Sequence, residues 1–147
     1  MVEANTPALL QNHVDGRWIT PTTEDFLDVQ NPSDGRVLAR VPLSNATDVD
    51  QAVAAARAAF GAWSQTPVAE RCGPVRKLAE LLRENFEDLA RQITEEMGKS
   101  LPDARAEMKR TIENVDVACG MPTLMQGENV TNCAADIDGE VIRLPIG

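Results

Sequence analysis

Apolar residues recur at helical spacing through the middle of the chain, and this pattern predicts four amphipathic helices. In the first helix they are separated by four, three, four and three residues, a spacing that places them on one face. These residues are Val49, Val53, Ala56, Phe60 and Trp63. Asn45 precedes the run, and asparagine is a residue type that caps helix N-termini. We therefore expect the helix to begin directly after Asn45.

The other three helices are bounded by residues typical of helix ends. The second begins at Thr66-Pro67, a capping residue followed by a proline whose missing N–H costs nothing in a first turn. Gly73-Pro74 predicts a kink in this helix or a later start. The third ends at Gly98, since glycine readily adopts the left-handed conformation that ends many helices. The fourth opens after Ser100-Leu101 and stops at Gly120. Its predicted buried face consists of Ala104, Met108, Ile112, Val115 and Cys119.

The segment before the helices predicts two β-hairpins after a disordered start at residues 1–11. Residues 12–19 place Asp15-Gly16 between β-capable flanks, and this pair tolerates the positive φ angles of a type I′ turn. The second hairpin pairs residues 26–30 with 36–41 around a turn at 31–35.

The segment after the helices predicts a loop at residues 123–127 and then a third hairpin. Its β-capable runs are residues 129–134 and 140–144, with a turn signal at 136–139. This hairpin has no evident sheet to join, and an isolated hairpin is marginal in water. We therefore expect its partner strands to come from elsewhere.

Composition and charge narrow the classes of function. The 147 residues fit one domain. A net charge of −9 and no basic patch argue against a nucleic-acid partner. No apolar run is long enough for a membrane span, and the N-terminus lacks the features of a secretory signal. Three cysteines without a C-x-x-C pair favour a reducing cytoplasm. His13 is the single histidine, so no zinc cluster is predicted.

Several short blocks, read in order, resemble the aldehyde dehydrogenase superfamily. They are Asn31-Pro32, Ala58-Ala59-Phe60-x-x-Trp63, Glu95-Glu96-Met97-Gly98-Lys99 and the pattern from Ala104 to Glu107. Three further blocks resemble the CoA-acylating methylmalonate-semialdehyde dehydrogenases. They are Arg110-x-x-Glu113-Asn114-Val115, Ala118 to Glu128, and Arg143-x-Pro145-Ile146-Gly147. The chain is thus similar to the N-terminal segment of such an enzyme.

This resemblance implies an α/β fold, of which the chain would be a mixed α+β fragment. Residues 12–123 would belong to the NAD-binding domain, and residues 124–147 to a β-flap through which the subunits associate. The full-length enzyme would use NAD and CoA to oxidise methylmalonate or malonate semialdehyde to an acyl-CoA. The blocks that carry the catalytic cysteine and the NAD site in the family are not found here. We therefore assign no catalytic, cofactor-binding or metal-binding residue, and expect the chain alone to bind no cofactor and to be inactive.

The cysteines of this chain do not replace the missing nucleophile. Cys119 lies on the apolar face of the fourth helix, Cys133 lies in a β-capable run without a neighbouring base, and Cys72 lies on the second helix. Free cysteine is usually buried and inert, so packing is the favoured interpretation for all three. His13 is expected to be a solvated or capping residue. Lys99 is expected to interact with the carbonyl end of the third helix.

Arg110 is the one candidate substrate-binding residue. By its position in Arg-x-x-Glu-Asn-Val it matches a family arginine that contacts the substrate carboxylate. A guanidinium can hold a carboxylate through two hydrogen bonds and stays charged at any working pH. The helical period places Arg110 away from the local core. The alternative is a surface arginine that pairs with Glu107 or Glu113, each one turn away.

Three hypotheses remain open from the sequence. The first is a segment of a CoA-acylating semialdehyde dehydrogenase, which predicts exposed apolar surface on the helices. The second is an autonomous helical module for interaction or oligomerisation. The third is a segment of another aldehyde dehydrogenase subfamily that acts on uncharged aldehydes, in which Arg110 would have no role with carboxylates.

Overall fold

The computed structural model describes residues 7–146, which fall into two compact units. Unit 1 contains residues 7–61 and 86–108, and unit 2 contains residues 62–85 and 109–146. The strands are β1 (Ala8–Leu9), β2 (Asn12–Val14), β3 (Arg17–Ile19), β4 (Phe26–Gln30), β5 (Val37–Pro42), β6 (Glu128–Ala134) and β7 (Ile137–Val141). The helices are α1 (Ala46–Gln65), α2 (Val68–Glu84), α3 (Phe86–Met97), α4 (Leu101–Cys119) and α5 (Met121–Leu124). The mixed α/β architecture expected from the sequence is confirmed.

Both predicted N-terminal hairpins form within unit 1. Strands β2 and β3 pair in antiparallel fashion, with His13 opposite Trp18. Asp15 and Gly16 join them at φ angles of 52° and 72°, as a type I′ turn requires. Strands β4 and β5 also pair antiparallel, with Val29 opposite Ala39. The short signal of a Gly- or Asp-containing turn between alternating residues was therefore sufficient for both hairpins.

The predicted disordered start is wrong for Ala8–Leu9. These residues form β1, which pairs in parallel with β5 and gives a three-stranded sheet in the order β1-β5-β4. The N–H of Leu10 donates to the Arg40 carbonyl at 2.9 Å and extends the pairing. A two-residue strand carries no periodicity of its own, and here it follows from the open edge of β5. The predicted disorder of residues 1–6 lies outside the described residues.

Helix α1 begins as predicted, because Asn45 caps it. The Asn45 Oδ1 atom accepts hydrogen bonds from the N–H groups of Thr47 at 2.9 Å and Asp48 at 3.1 Å. The apolar face of α1 is largely exposed, with Val49 at 54% and Val53 at 51% exposure. This agrees with the exposed apolar surface that the first hypothesis predicts.

Helix α2, in unit 2, runs without interruption through Pro74 from its first residue, Val68. The late start considered for it is therefore wrong. The predicted cap by Thr66 is also wrong, since Pro67 occupies the N-cap position and makes no side-chain hydrogen bond there. The Thr66 hydroxyl instead donates to the carbonyl of Ala62 at 3.2 Å, because Thr66 lies within reach of the last turn of α1.

The C-terminal region differs from the prediction in two details. Residues 121–124 of the predicted loop region form the short helix α5, which begins with Met121-Pro122 after Gly120. The turn of the last hairpin lies before Ile137 and includes Asp136 at a φ angle of 59°, whereas the sequence placed it at residues 136–139. Gly139 instead lies within β7 opposite Val130. As expected, β6 and β7 form a separate two-stranded sheet.

The buried apolar residues are small. In the described part of the chain they are Cys72, Ala79, Ala90, Ala104 and Met108, and no large side chain there is below 2% exposure. The chain therefore carries much of its apolar surface on the outside of each unit. Within residues 7–146, no helix has both the length and the apolar character needed to cross a membrane.

Candidate functional site

Helix α4 carries the candidate residue and is bounded by clear end signals. The Ser100 hydroxyl oxygen accepts a hydrogen bond from the Asp103 N–H at 3.3 Å, which satisfies one of the free donors of the first turn. Asp103 also places a negative charge near the helix N-terminus, where the macrodipole favours it. At the other end, the Gly120 N–H donates to the Val117 carbonyl at 3.0 Å. These local contacts fix where α4 starts and stops.

The buried face of α4 determines where Arg110 lies. Ala104 and Met108 are buried at 0% and 4% exposure, and the residues that continue their face, Ile112, Val115 and Cys119, are half-buried. Arg110 follows Met108 by two residues, which is about 200° around the helix. It is exposed. The expectation that Arg110 points away from the local core is confirmed.

The Arg110 guanidinium has no hydrogen bond or ion pair with any residue in the range 7–146. The alternative of a pair with Glu107 or Glu113 is therefore not formed. The Glu107 carboxylate is instead bound by the Lys99 ammonium. Arg17 and Arg57 likewise lack such a partner within that range, so the lack of one does not by itself single out Arg110. Its position in the family block does.

Two other arginines form forked ion pairs with carboxylates. In unit 1, Arg105 of α4 donates to Glu87 of α3, through Nε at 3.0 Å and Nη2 at 2.8 Å. These hydrogen bonds lower the pKa of Glu87. In unit 2, Nη2 of Arg83 in α2 lies 2.7 and 2.6 Å from the two carboxylate oxygens of Asp116. Sequence reasoning missed both pairs, because each joins different helices and spacing within one helix gives no signal for them.

The three cysteines occupy different environments. Cys72 is buried and Cys119 is half-buried, so packing explains both. Cys133 is exposed, which makes the packing interpretation wrong for this residue. Its Sγ donates to the Ile137 carbonyl at 3.1 Å across the β6–β7 turn. None of the three has an adjacent histidine to act as a base, since His13 instead contacts Trp18 edge-on at 4.9 Å.

Residues 7–146 offer little to a metal or to a dinucleotide. No group of three or more His, Cys, Asp or Glu side chains in this range could hold a metal ion. Phosphate binding by a dinucleotide site uses a glycine-rich turn between a strand and a helix. The strand-to-helix connection from β5 to α1 is Leu43-Ser44-Asn45, which has no glycine. These residues do not fit the phosphate site of NAD, and no step is assigned to them through NAD or CoA.

The β6–β7 ribbon has one apolar and one polar face. Val130 lies opposite Gly139, so alternation places Ile137 and Val141 on its face. Val130, Ile137 and Val141 are 53%, 55% and 49% exposed. Asn129 lies opposite Glu140 on the other face. We call the first of these the apolar ribbon face.

Arg143 joins the two ends of the ribbon. Its guanidinium donates to the Gln126 carbonyl through Nη1 and to the Glu128 carboxylate through Nη2 at 3.1 Å. Gly127 lies between these acceptors, and a Cβ there would lie 2.2 Å from the Val141 carbonyl oxygen. Arg143, from one of the blocks that resemble the family, is therefore engaged in closing the ribbon.

Comparison with known proteins decides the family. The model of the aldehyde dehydrogenase family matches residues 18–147. The chain belongs to this family. It is 42% identical over 139 residues to malonate-semialdehyde dehydrogenase 1 of Geobacillus kaustophilus, an alignment that covers 95% of this chain and 28% of that protein. The chain thus spans somewhat more than a quarter of the length of this aldehyde dehydrogenase.

Solved aldehyde dehydrogenases have the same local fold. Methylmalonate-semialdehyde dehydrogenase from Oceanimonas doudoroffii matches with a TM-score of 0.85 and 33% identity, over 94% of this chain and 28% of that chain. Betaine aldehyde dehydrogenase from Staphylococcus aureus, determined as a double mutant in complex with NAD+, matches with a TM-score of 0.83 and 28% identity. That match covers 92% of this chain and 27% of that one. Family membership extends across both compact units.

Proposed function

We propose that this chain is the N-terminal part of an NAD-dependent, CoA-acylating dehydrogenase for malonate or methylmalonate semialdehyde. The names of the similar proteins support a semialdehyde that carries a carboxylate. The observation that carries the proposal on this chain is Arg110, which is exposed and has no ion-pair partner within residues 7–146. Arg110 is proposed to hold the substrate carboxylate.

The chemistry assigned to Arg110 is binding and orientation. A guanidinium fork matches the geometry of a carboxylate and keeps its charge throughout the working pH range. Held at one end, the semialdehyde presents its aldehyde carbon at a fixed distance to the nucleophile that the rest of the enzyme supplies. NAD would accept the hydride and CoA the acyl group. The chain alone is proposed to be inactive.

Two segments receive proposed structural roles. Residues 12–123 are proposed to belong to the NAD-binding domain. Residues 124–147 are proposed to be part of a flap through which subunits associate. Support for the flap comes from the separate two-stranded sheet and from the exposure of the apolar ribbon face.

Arg110→Leu in the full-length enzyme tests the substrate-binding role. Loss of a charge-assisted hydrogen-bonded pair should raise the KM for malonate semialdehyde about tenfold to a hundredfold. The KM for propanal, which has the same carbon number and no carboxylate, should stay unchanged. The matched control is Arg57→Leu, which removes another exposed helical arginine that has no such partner within residues 7–146. An unchanged KM for malonate semialdehyde would instead favour an aldehyde dehydrogenase for uncharged substrates.

A further inference from the structure

Glu107 is the natural local competitor for the Arg110 guanidinium. Both residues lie on the continuous helix α4, and Glu107 precedes Arg110 by three residues. Side chains at this spacing are neighbours on a helix surface, and the pair is more favourable when the acidic residue is the N-terminal one. An unengaged Glu107 would therefore be well placed to pair with Arg110 and to compete with any carboxylate that approaches it.

The structure engages Glu107 elsewhere. The Lys99 ammonium contacts the Glu107 carboxylate, and the Lys99 side chain is only 29% exposed, the lowest value at a basic partner among the described ion pairs. Lys99 lies in the short connection between α3 and α4, directly after Gly98. Partial burial reduces screening by solvent, so this pair is held more firmly than a fully exposed one.

We infer that Lys99 keeps Arg110 available to a substrate carboxylate by holding Glu107. Lys99 is thus a positioning residue that acts on specificity for carboxylated aldehydes and touches no substrate itself. The inference rests on the proposed role of Arg110. Glu113, one turn beyond Arg110, has the less favourable order of charges and makes no pair with Arg110 in residues 7–146.

The test is Lys99→Met in the full-length enzyme. Released Glu107 should pair with Arg110 and compete with substrate, which raises the KM for malonate semialdehyde about two- to fivefold, as expected for an exposed helical ion pair. The kcat for this substrate and the KM for propanal should not change. Lys99→Arg keeps the cation and should behave as the parent enzyme.

The double variant Lys99→Met/Glu107→Gln separates this effect from a loss of structure. It lacks the Lys99–Glu107 contact altogether, so a merely structural defect would persist in it. Under the inference it has no competitor left, and the KM for malonate semialdehyde should return to the parent value. Lys77→Met is the matched control, because it removes the lysine of an exposed pair with Glu80 on α2.

The possible outcomes distinguish this inference from the proposed function. If Lys99→Met raises the KM for both aldehydes equally, or if the double variant does not recover, Lys99 has only a structural role. If Arg110→Leu raises the KM for malonate semialdehyde while Lys99→Met leaves it unchanged, this inference alone fails. If Arg110→Leu has no effect, the proposed role of Arg110 fails and the inference fails with it.

Discussion

Gly98 is held in place by two constraints. Its φ angle is +72°, and a Cβ at this position would lie 2.8 Å from the Cγ atom of Pro32. Pro32 follows the buried Asn31, and Arg36 in the same connection binds Glu95 at 3.0 Å. Two of the sequence blocks that resemble the aldehyde dehydrogenases therefore contact each other within unit 1. Close packing accounts for them without a catalytic role.

Gly98→Ala should destabilise the chain. A left-handed conformation costs a residue with a Cβ about 1–2 kcal/mol, and Pro32 must also move. The matched control is Gly61→Ala in α1, where a Cβ would meet nothing within 4 Å and the φ angle is ordinary for a helix. This control should stabilise the helix by about 0.5–1 kcal/mol. Urea denaturation followed by far-UV circular dichroism should move the two midpoints in opposite directions, and a shift in the same direction would contradict this account.

At the scale of elements, Asp48 joins the start of α1 to a distant segment. Its carboxylate accepts hydrogen bonds from the Asn45 N–H at 3.0 Å, from the Thr22 N–H at 3.3 Å and from the Thr22 hydroxyl at 3.1 Å. Asn45 and Asp48 thus cap each other reciprocally, in the manner of a capping box. The N–H of Asn45 is the main cause of a lowered pKa for Asp48.

Asp48 should make the stability of unit 1 depend on acid pH. Because the folded pKa lies below the ordinary value of 3.8, the contribution of Asp48 is fully present well above pH 3.8 and is lost as the pH falls through the lowered pKa. Asp48→Asn should lower the melting temperature near neutral pH and flatten its fall below pH 3.8. Asp50→Asn, on the same helix and exposed, is the control and should do neither. Equal pH profiles for the parent and Asp48→Asn, measured by circular dichroism, would overturn this role.

Sequence predicted those elements whose ends are set by neighbouring residues. The Asn45 cap, the Asp15-Gly16 turn and the Gly98 end each depend on contacts within a few residues, and all three form. The contact of Asp48 with Thr22 spans 26 residues, and the pairing of β1 with β5 spans about as many. Local periodicity contains no information on such contacts. For the same reason, sequence could place Arg110 on a face of α4 but could not show that Lys99 binds Glu107.

At the scale of the whole molecule, periodicity identified apolar faces and left open what covers them. Ala104 and Met108 of α4 are buried, whereas Val49 and Val53 of α1, which follow an equally regular pattern, are about half exposed. The apolar ribbon face is exposed in the same way. A helical or alternating pattern states that a face is suited to packing, and the partner surface is a separate property of the folded chain.

The apolar ribbon face should mediate self-association if the proposed flap is correct. Val130→Lys places a charge at its centre, and the loss of buried apolar area together with the cost of burying a lysine should weaken association about tenfold or more. Asn129→Lys introduces the same charge on the opposite face of the same strand, beside Glu140, and should leave association unchanged. Analytical ultracentrifugation over a range of concentrations compares the two. Equal weakening by both variants would indicate a general effect of charge, and no weakening by Val130→Lys would show that the chain associates through another surface.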